Sequence, residues 1–333
     1  MEKRLQYGII AVVAIAIIGI VIGTVLAGNP STPSETEFFT IRTPTSTSLS
    51  VVDLADSLGY YKEAGIVIER TGSTTGGPQS IMTVAAGSND IGISAFSAIV
   101  NAIGRGTKIK TVAPAIGTSP AEPDYKWLVL ETSPIKTASD LKGKTIGVNT
   151  LGAHADFVTQ AYLYQNGLTP SDVQLVVVPF ENQEQVLRQG QVDVIAPNGN
   201  FLKKAEENGG VRALFSDGEV IGEQVKSGIV MSTDFIERHP DITAKFVNAT
   251  VKAIEWDKQH RAESKVLLAK FLTETGGNPK LGELHNGWAI RSPPVINDAD
   301  VQFWLDIMEK EGALKPGQLR PSDVYTNEFN PYS

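Results

Sequence analysis

The sequence predicts an α/β protein of two similar lobes facing each other across a cleft, and three observations carry that prediction. Two stretches about a hundred residues apart repeat one pattern: Val84-Ala85-Ala86-Gly87-Ser88-Asn89-Asp90-Ile91-Gly92-Ile93-Ser94 and Leu187-Arg188-Gln189-Gly190-Gln191-Val192-Asp193-Val194-Ile195-Ala196. Each reads as a helix end, a Gly suited to a left-handed cap, a link containing Asp, then a short apolar strand. Strand-like and helix-like segments alternate through most of the chain, which indicates α/β units with mainly parallel sheets. Two passages, near Pro114–Trp127 and near Val220–Gly228, suit crossings between lobes, and paired crossings make a hinge. The expected lobes are residues 37–123 with 229–333, and residues 124–228.

The elements follow in order. Phe38–Arg42 reads as a strand, Thr43–Ser48 as a polar loop, and Leu49–Tyr61 as a helix. Gly65 breaks the chain before the strand Ile66–Ile68. Gly72–Gly77 reads as a flexible loop, and Pro78 suits the first turn of a helix ending at Gly87. The strand Asp90–Ser94, a helix from about Ser97 to Ile103 and the strand Ile109–Val112 complete the first repeat. After the Pro-rich passage come the strand Trp127–Leu130, a capped turn over Ser139–Lys144 and the strand Thr145–Val148. A Gly-containing loop, Asn149–Ala153, opens a helix reaching about Asn166. Leu175–Val178, Gln183–Arg188 and Asp193–Ala196 read as strand, helix and strand, and Ser227–Ser232 as a further strand. From Pro240 the pattern is mainly helical, over Ile242–Lys258, Arg261–Thr273 and Asp298–Glu311.

The N-terminus differs from the rest. Gly8–Ala27 holds twenty residues without a charge, behind Lys3 and Arg4. That length spans a bilayer as a helix, and the basic flank places the N-terminus in the cytoplasm. The expectation is a membrane anchor over residues 1–27. A cleaved signal ending at Val25-Leu26-Ala27 is the rival reading, and both export the body. Residues 28–36 form a Ser/Thr/Pro linker.

The 333 residues carry a formal charge of −8, and no Cys. The acidic balance argues against nucleic acid as a partner. Without Cys there is no disulfide, thiolate nucleophile or lipid-modified Cys anchor. The four His residues share no metal-ligand spacing, and no phosphate-binding Gly loop or nucleophile elbow occurs, so no metal, cofactor or catalytic residue is expected.

Polar positions after predicted strands and at predicted helix starts are the candidate ligand contacts, because free backbone N–H groups gather there. They are Ser46 and Thr47; Gly77; Ser94, Ala95, Phe96 and Ser97; Gly152, Ala153 and His154; and Asn198 and Asn200. Each has a plain structural alternative. The hydroxyls and asparagines also suit helix caps and turns, and the lone His suits a surface position. Arg291 could clamp an oxyanion, but a salt bridge between helices explains it more simply. Asn248-Ala249-Thr250 is a glycosylation sequon inside a predicted helix.

Gly76-Gly77-Pro78, followed by Ala85-Ala86-Gly87 and Asp90-Ile91-Gly92, resembles the first-lobe signature of ABC-importer substrate-binding proteins for nitrate, taurine, alkanesulfonate and related solutes. Ser133–Lys136, Asp140–Lys144 and Gly190–Asp193 are similar to the second-lobe signature, and Phe235–Pro240 to the return segment. The resemblance covers about Phe38 to Trp256. It implies a two-lobed type II periplasmic-binding-protein fold that closes on a small solute and delivers it to a permease and its ATPase. It also implies a monomer, and a contact from His154, since sulfonate-binding relatives often have a small residue and a His at this helix start. Asn198-Gly199 departs from the aromatic and acidic pair of many relatives. Helix starts and hydroxyls favour an oxoanion. A neutral heteroaromatic such as a thiamine-pyrimidine precursor, and a ligand-sensing ectodomain, are the alternatives. Pyrimidine synthases on the same fold use a Cys-rich segment that this chain lacks.

Overall fold

The computed structural model describes residues 38–46 and 49–333. The expected anchor (1–27), the linker (28–36) and Thr47 lie outside the described residues. No helix among the described residues is long and apolar enough to cross a membrane.

Strand β1 (Phe39–Ser46) pairs in parallel with β2 (Ile66–Thr74). Both run further than the sequence suggests. The register shifts between Thr43 and Thr45, across Pro44, which has no N–H to donate to a ladder. Beyond that shift Thr45 and Ser46 pair with Ser73 and Thr74, so the expected loops at Thr43 and Gly72 begin as strand. The expected helix Leu49–Tyr61 is two helices, Val51–Ser57 and Tyr60–Glu63, because Gly59 takes φ 78° between them.

A second sheet holds β3 (Gly92–Ala95), β4 (Ile109–Thr118) and a later strand, β10 (Gln224–Ser232), in the order β3-β10-β4. β10 is antiparallel to both neighbours. β4 passes through Pro114 to Thr118, tolerating the proline where its register with β10 shifts. β10 pairs with β4 from Gln224 to Ser232, so residues 224–228 belong with this sheet.

Between β4 and β10 the chain builds a five-stranded sheet of β5 (Lys126–Leu130), β6 (Thr145–Val148), β7 (Gln174–Val177), β8 (Val194–Ile195) and β9 (Val211–Ser216), in the order β7-β6-β8-β5-β9. β6 is parallel to β7 and β8, whereas β5 is antiparallel to β8 and β9. Strand pairing is therefore not mainly parallel: only β1–β2 is a purely parallel sheet, because β5 and β10 each enter their sheets against their neighbours. β9 was not expected; its Val-Arg-Ala-Leu-Phe-Ser run has no clean alternation. The later helices Pro240–Gln259, Arg261–Glu274 and Asp298–Lys310 follow the expected ranges closely.

Burial of large side chains fixes the layers. Tyr61 stacks on Phe246 at 5.1 Å, tying the first helices to the long helix Pro240–Gln259, and its hydroxyl bonds Thr250 at 2.8 Å. Trp127 of β5 stacks on Phe215 of β9 at 4.5 Å, and its Nε1–H donates to Thr159 Oγ1 at 2.9 Å. Arg291 pairs with both carboxylate oxygens of Asp300 at 2.5 and 2.7 Å, the salt-bridge alternative read from the sequence.

Candidate functional site

A cavity of about 560 Å³ lies between the five-stranded sheet and the other two. That is ample for a small organic molecule. Its walls come from the ends of strands and the starts of helices.

Five helices begin on this wall: Gly77–Ala85, Phe96–Gly104, His154–Gln165, Phe180–Arg188 and Gly199–Glu207. Their N-cap residues are Gly76, Ala95, Ala153, Pro179 and Asn198, and none supplies a side-chain hydrogen bond to its own helix. Two other helices that start on the cavity wall are capped, Val51–Ser57 by Ser50 and Pro279–Glu283 by Asn278, and Ser216 and Ser232 cap theirs elsewhere. The first N–H groups of a helix need an acceptor and carry partial positive charge. Here five such ends border one cavity, with the Gly199 N–H already donating to the Asp124 carbonyl at 3.1 Å.

The Gly76-Gly77 turn is shaped by close approach. A Cβ on Gly77 would sit 2.2 Å from Ser94 Oγ and 3.1 Å from Ser94 Cα, so only glycine fits. A Cβ on Gly76 would come within 3.1 Å of Thr150 Oγ1, which lies beyond β6 of the five-stranded sheet. The two sides therefore meet at this turn.

Behind the wall lies a buried polar network. Asp217, wholly buried, accepts from Thr118 Oγ1 at 2.7 Å, Gly218 N at 2.9 Å and Tyr125 N at 3.1 Å through Oδ1. Its Oδ2 lies 3.0 Å from His154 Nε2. Burial would raise the Asp217 carboxyl, but hydrogen bonds from His154 and Thr118 and the charge of Lys226 outweigh it and hold the group below its ordinary value. Burial and the nearby Lys226 push the His154 imidazole below its ordinary value, against the pull of Asp217. The pair is thus a neutral imidazole and a carboxylate, with Nε2–H donating. That tautomer leaves Nδ1 as an acceptor, and it has no partner. Burial also pushes the Tyr125 phenol well above its ordinary value, reinforced by Asp124 and Asp217, so it stays neutral.

Lys226, from β10, was not singled out in the sequence. It is 2% exposed, lines the cavity, bonds Asp124 Oδ2 at 2.7 Å and stands 4.6 Å from the centre of the Tyr125 ring. A lysine inside a buried apolar strand is the signal that could have found it. Arg70 also lines the cavity but is committed to Asp53 at 3.0 Å and Asp56 at 2.8 Å. Phe180, Phe201 and Phe271 add an aromatic wall.

The structure brings together Gly77, Ser94, Ala95, Ala153, His154 and Asn198 of the expected contacts, all on the cavity wall. Ser94 Oγ and Asn198 Oδ1 are buried without partners. Phe96 and Ser97 are fully buried and do not line the cavity: the helix that starts at Phe96 turns them into the interior. Gly152 is also off the lining, its N–H taken by Asp156 Oδ2 at 2.7 Å. Asn200 borders a separate small cavity beside Gly199 and Trp288. Ser46 ends β1.

A family model described as NMT1/THI5 like matches residues 47–264. An Escherichia coli (strain K12) protein named for aliphatic sulfonate binding is 28% identical over 197 residues, spanning 59% of this chain and 60% of that protein. The Bacillus subtilis (strain 168) binding protein YtlA is 24% identical over 271 residues, spanning 78% of this chain and 79% of its own. The alkanesulfonate-binding protein SsuA from Xanthomonas axonopodis pv. citri, solved bound to MOPS, superposes with a TM-score of 0.69 at 19% identity, covering 87% of this chain and 99% of its own. The chain has the periplasmic-binding-protein fold and belongs to the NMT1/THI5-like family.

Proposed function

We propose that this chain is the extracytoplasmic solute receptor of an ABC importer. In this reading residues 38–123 with 224–333 form one lobe and 124–223 the other. They close on a small organic oxoanion of sulfonate type and hand it to a permease. The observation that carries the reading is the convergence of five uncapped helix starts on one cavity, which supplies N–H donors to an anion inside an acidic protein. The aromatic wall suits the organic part of the solute. Nothing in the site calls for bond-breaking chemistry, and the two relatives named above are binding proteins.

A neutral heteroaromatic solute is the second reading. His154 Nδ1 and Asn198 Oδ1 favour it, since both are unpartnered acceptors suited to N–H donors. A thermal-shift screen of the purified protein against alkanesulfonates, nitrate, bicarbonate and pyrimidines decides between them. A true ligand at a hundred times its Kd adds about 2.7 kcal/mol of stability. Stabilisation by pyrimidines alone would reject the oxoanion.

The anchor belongs to the same proposal. Gly8–Ala27 stays attached and tethers the body outside the membrane. Intact mass of the native protein tests it: a mature N-terminus at Gly28 would leave export without a tether.

A further inference from the structure

Burying an ammonium group is costly, and a buried ion pair seldom repays that cost in stability. Lys226 is such a group, 2% exposed, and its partner Asp124 is 11% exposed. A strand that otherwise reads Val225, Ser227, Gly228, Ile229, Val230 and Met231 would pack more cheaply without it. Yet this lysine sits on the cavity wall, and the other candidate cations there are unsuited: Arg70 is held by two carboxylates and Lys204 is exposed to solvent.

Position adds to the argument. Asp124 lies in the chain's first passage between the sheet systems, just before β5, and Lys226 is the third residue of β10, just after the second passage. Their 2.7 Å contact therefore spans both passages. Asp124 is also engaged from the other side, by Asn198 Nδ2 at 3.4 Å, and Asn198 heads one of the uncapped helices. Lys226 touches the cavity while already neutralised within the protein by Asp124, which borders the smaller cavity beside it.

We propose that Lys226 is the charge that receives the anionic group of the solute, and that Asp124 is its resting counter-ion, whose hold the solute must weaken. The proposal rests on the oxoanion reading above. Asp124 then sets affinity below what the lysine alone would give, and it keeps the ammonium satisfied when the cavity holds no solute. A purely structural clasp between the two passages would need the same two residues, but it predicts opposite behaviour when the aspartate is neutralised.

The experiment is calorimetry of hexanesulfonate binding to the full-length protein and to three variants. Lys226→Met should weaken binding about tenfold or more, the worth of a charge-assisted hydrogen bond in a dry site. Lys226→Arg should recover part of that loss. Asp124→Asn should tighten binding about threefold or more, because the ammonium loses a competing charge but keeps a hydrogen-bond acceptor. Unchanged or weaker binding by Asp124→Asn overturns the proposal in favour of the clasp, and so does wild-type affinity in Lys226→Met. If Lys226→Met fails to fold, the Asp124→Asn result decides alone. Failure of the oxoanion reading looks different: the wild-type protein itself binds neither hexanesulfonate nor nitrate or bicarbonate, and this proposal falls with it.

Discussion

His154 Nε2 and Asp217 Oδ2 lie 3.0 Å apart, with the two side chains 2% and 0% exposed, at the point where a helix start meets the chain's second passage between the sheets. Both groups titrate below their ordinary values, so acid acts on them in sequence.

The first prediction is therefore a loss of stability on acidification. The unfolded chain protonates His154 near its ordinary value of about 6.5, while the folded chain resists, so the unfolded state binds more protons there. The histidine's contribution is full above that value and shrinks as pH falls toward its folded value. The Asp217 contribution is full above the ordinary carboxylate range and is lost only at lower pH. Thermal melts between pH 8 and pH 4 should show a falling midpoint that begins near pH 6.5, and His154→Gln should flatten that first part. An unaltered slope in the variant would remove His154 from the account.

Asp217→Ala should be severely destabilising. It strands four donors, on Thr118, Tyr125, Gly218 and His154, inside a dry network. The expected loss is about 3–5 kcal/mol by urea denaturation. A loss below about 1 kcal/mol would show that water replaces the carboxylate.

Ser94 and Ser97 should separate function from packing. Both hydroxyls are buried and unpartnered, so replacing either by Ala should leave stability equal or slightly higher. Only Ser94 lines the cavity. Ser94→Ala should cost about 1–3 kcal/mol of ligand affinity, and Ser97→Ala close to none. Calorimetry with the best ligand from the screen checks both, and equal losses would return Ser97 to the site.

Gly77→Ala should damage both stability and binding. Its Cβ would overlap Ser94, including backbone, and relief of that overlap costs about 1–3 kcal/mol. Gly76→Ala meets only the Thr150 hydroxyl, at 3.1 Å, so it should spare stability and weaken binding, because that contact joins the two sides of the cavity. Small-angle scattering with and without ligand would test this: a Gly76→Ala protein that compacts like wild type refutes the role assigned to the turn.

Much of the fold was legible where short-range chemistry decides it. Thr145–Val148 is strand as read, entered from the capped turn at Thr137 and Asp140. Gly87 and Gly190 take the left-handed φ of 72° and 68° that the repeat implies. Long-range pairing was less legible. β1 and β2 extend each other past Thr43 and Gly72, and β10 draws Pro114 into a ladder, none of which is visible locally. The site divides in the same way. Ser94, His154 and Asn198 were legible as cavity-wall positions because strand ends and helix starts are sequence features. Lys226, Asp124 and Asp217 were not legible because their partners lie 63 to 102 residues away in sequence, in pairs created by the two passages. Phe96 and Ser97, expected beside Ser94, open a helix whose facing the sequence leaves open, and they are buried off the cavity wall.

The uncapped helix starts carry a consequence for how the protein registers occupancy. Gly77, Phe96, His154, Phe180 and Gly199 are scattered over more than a hundred residues, yet each opens a helix that starts beside the same cavity without a side-chain cap. A single solute that accepts from these starts would serve as a shared terminus for several helices at once. Its arrival should slow amide hydrogen exchange in five separate first turns together, turning independent fraying ends into one cooperative unit. A permease would then meet a protein whose stiffness on both sides of the cleft reports whether it is loaded.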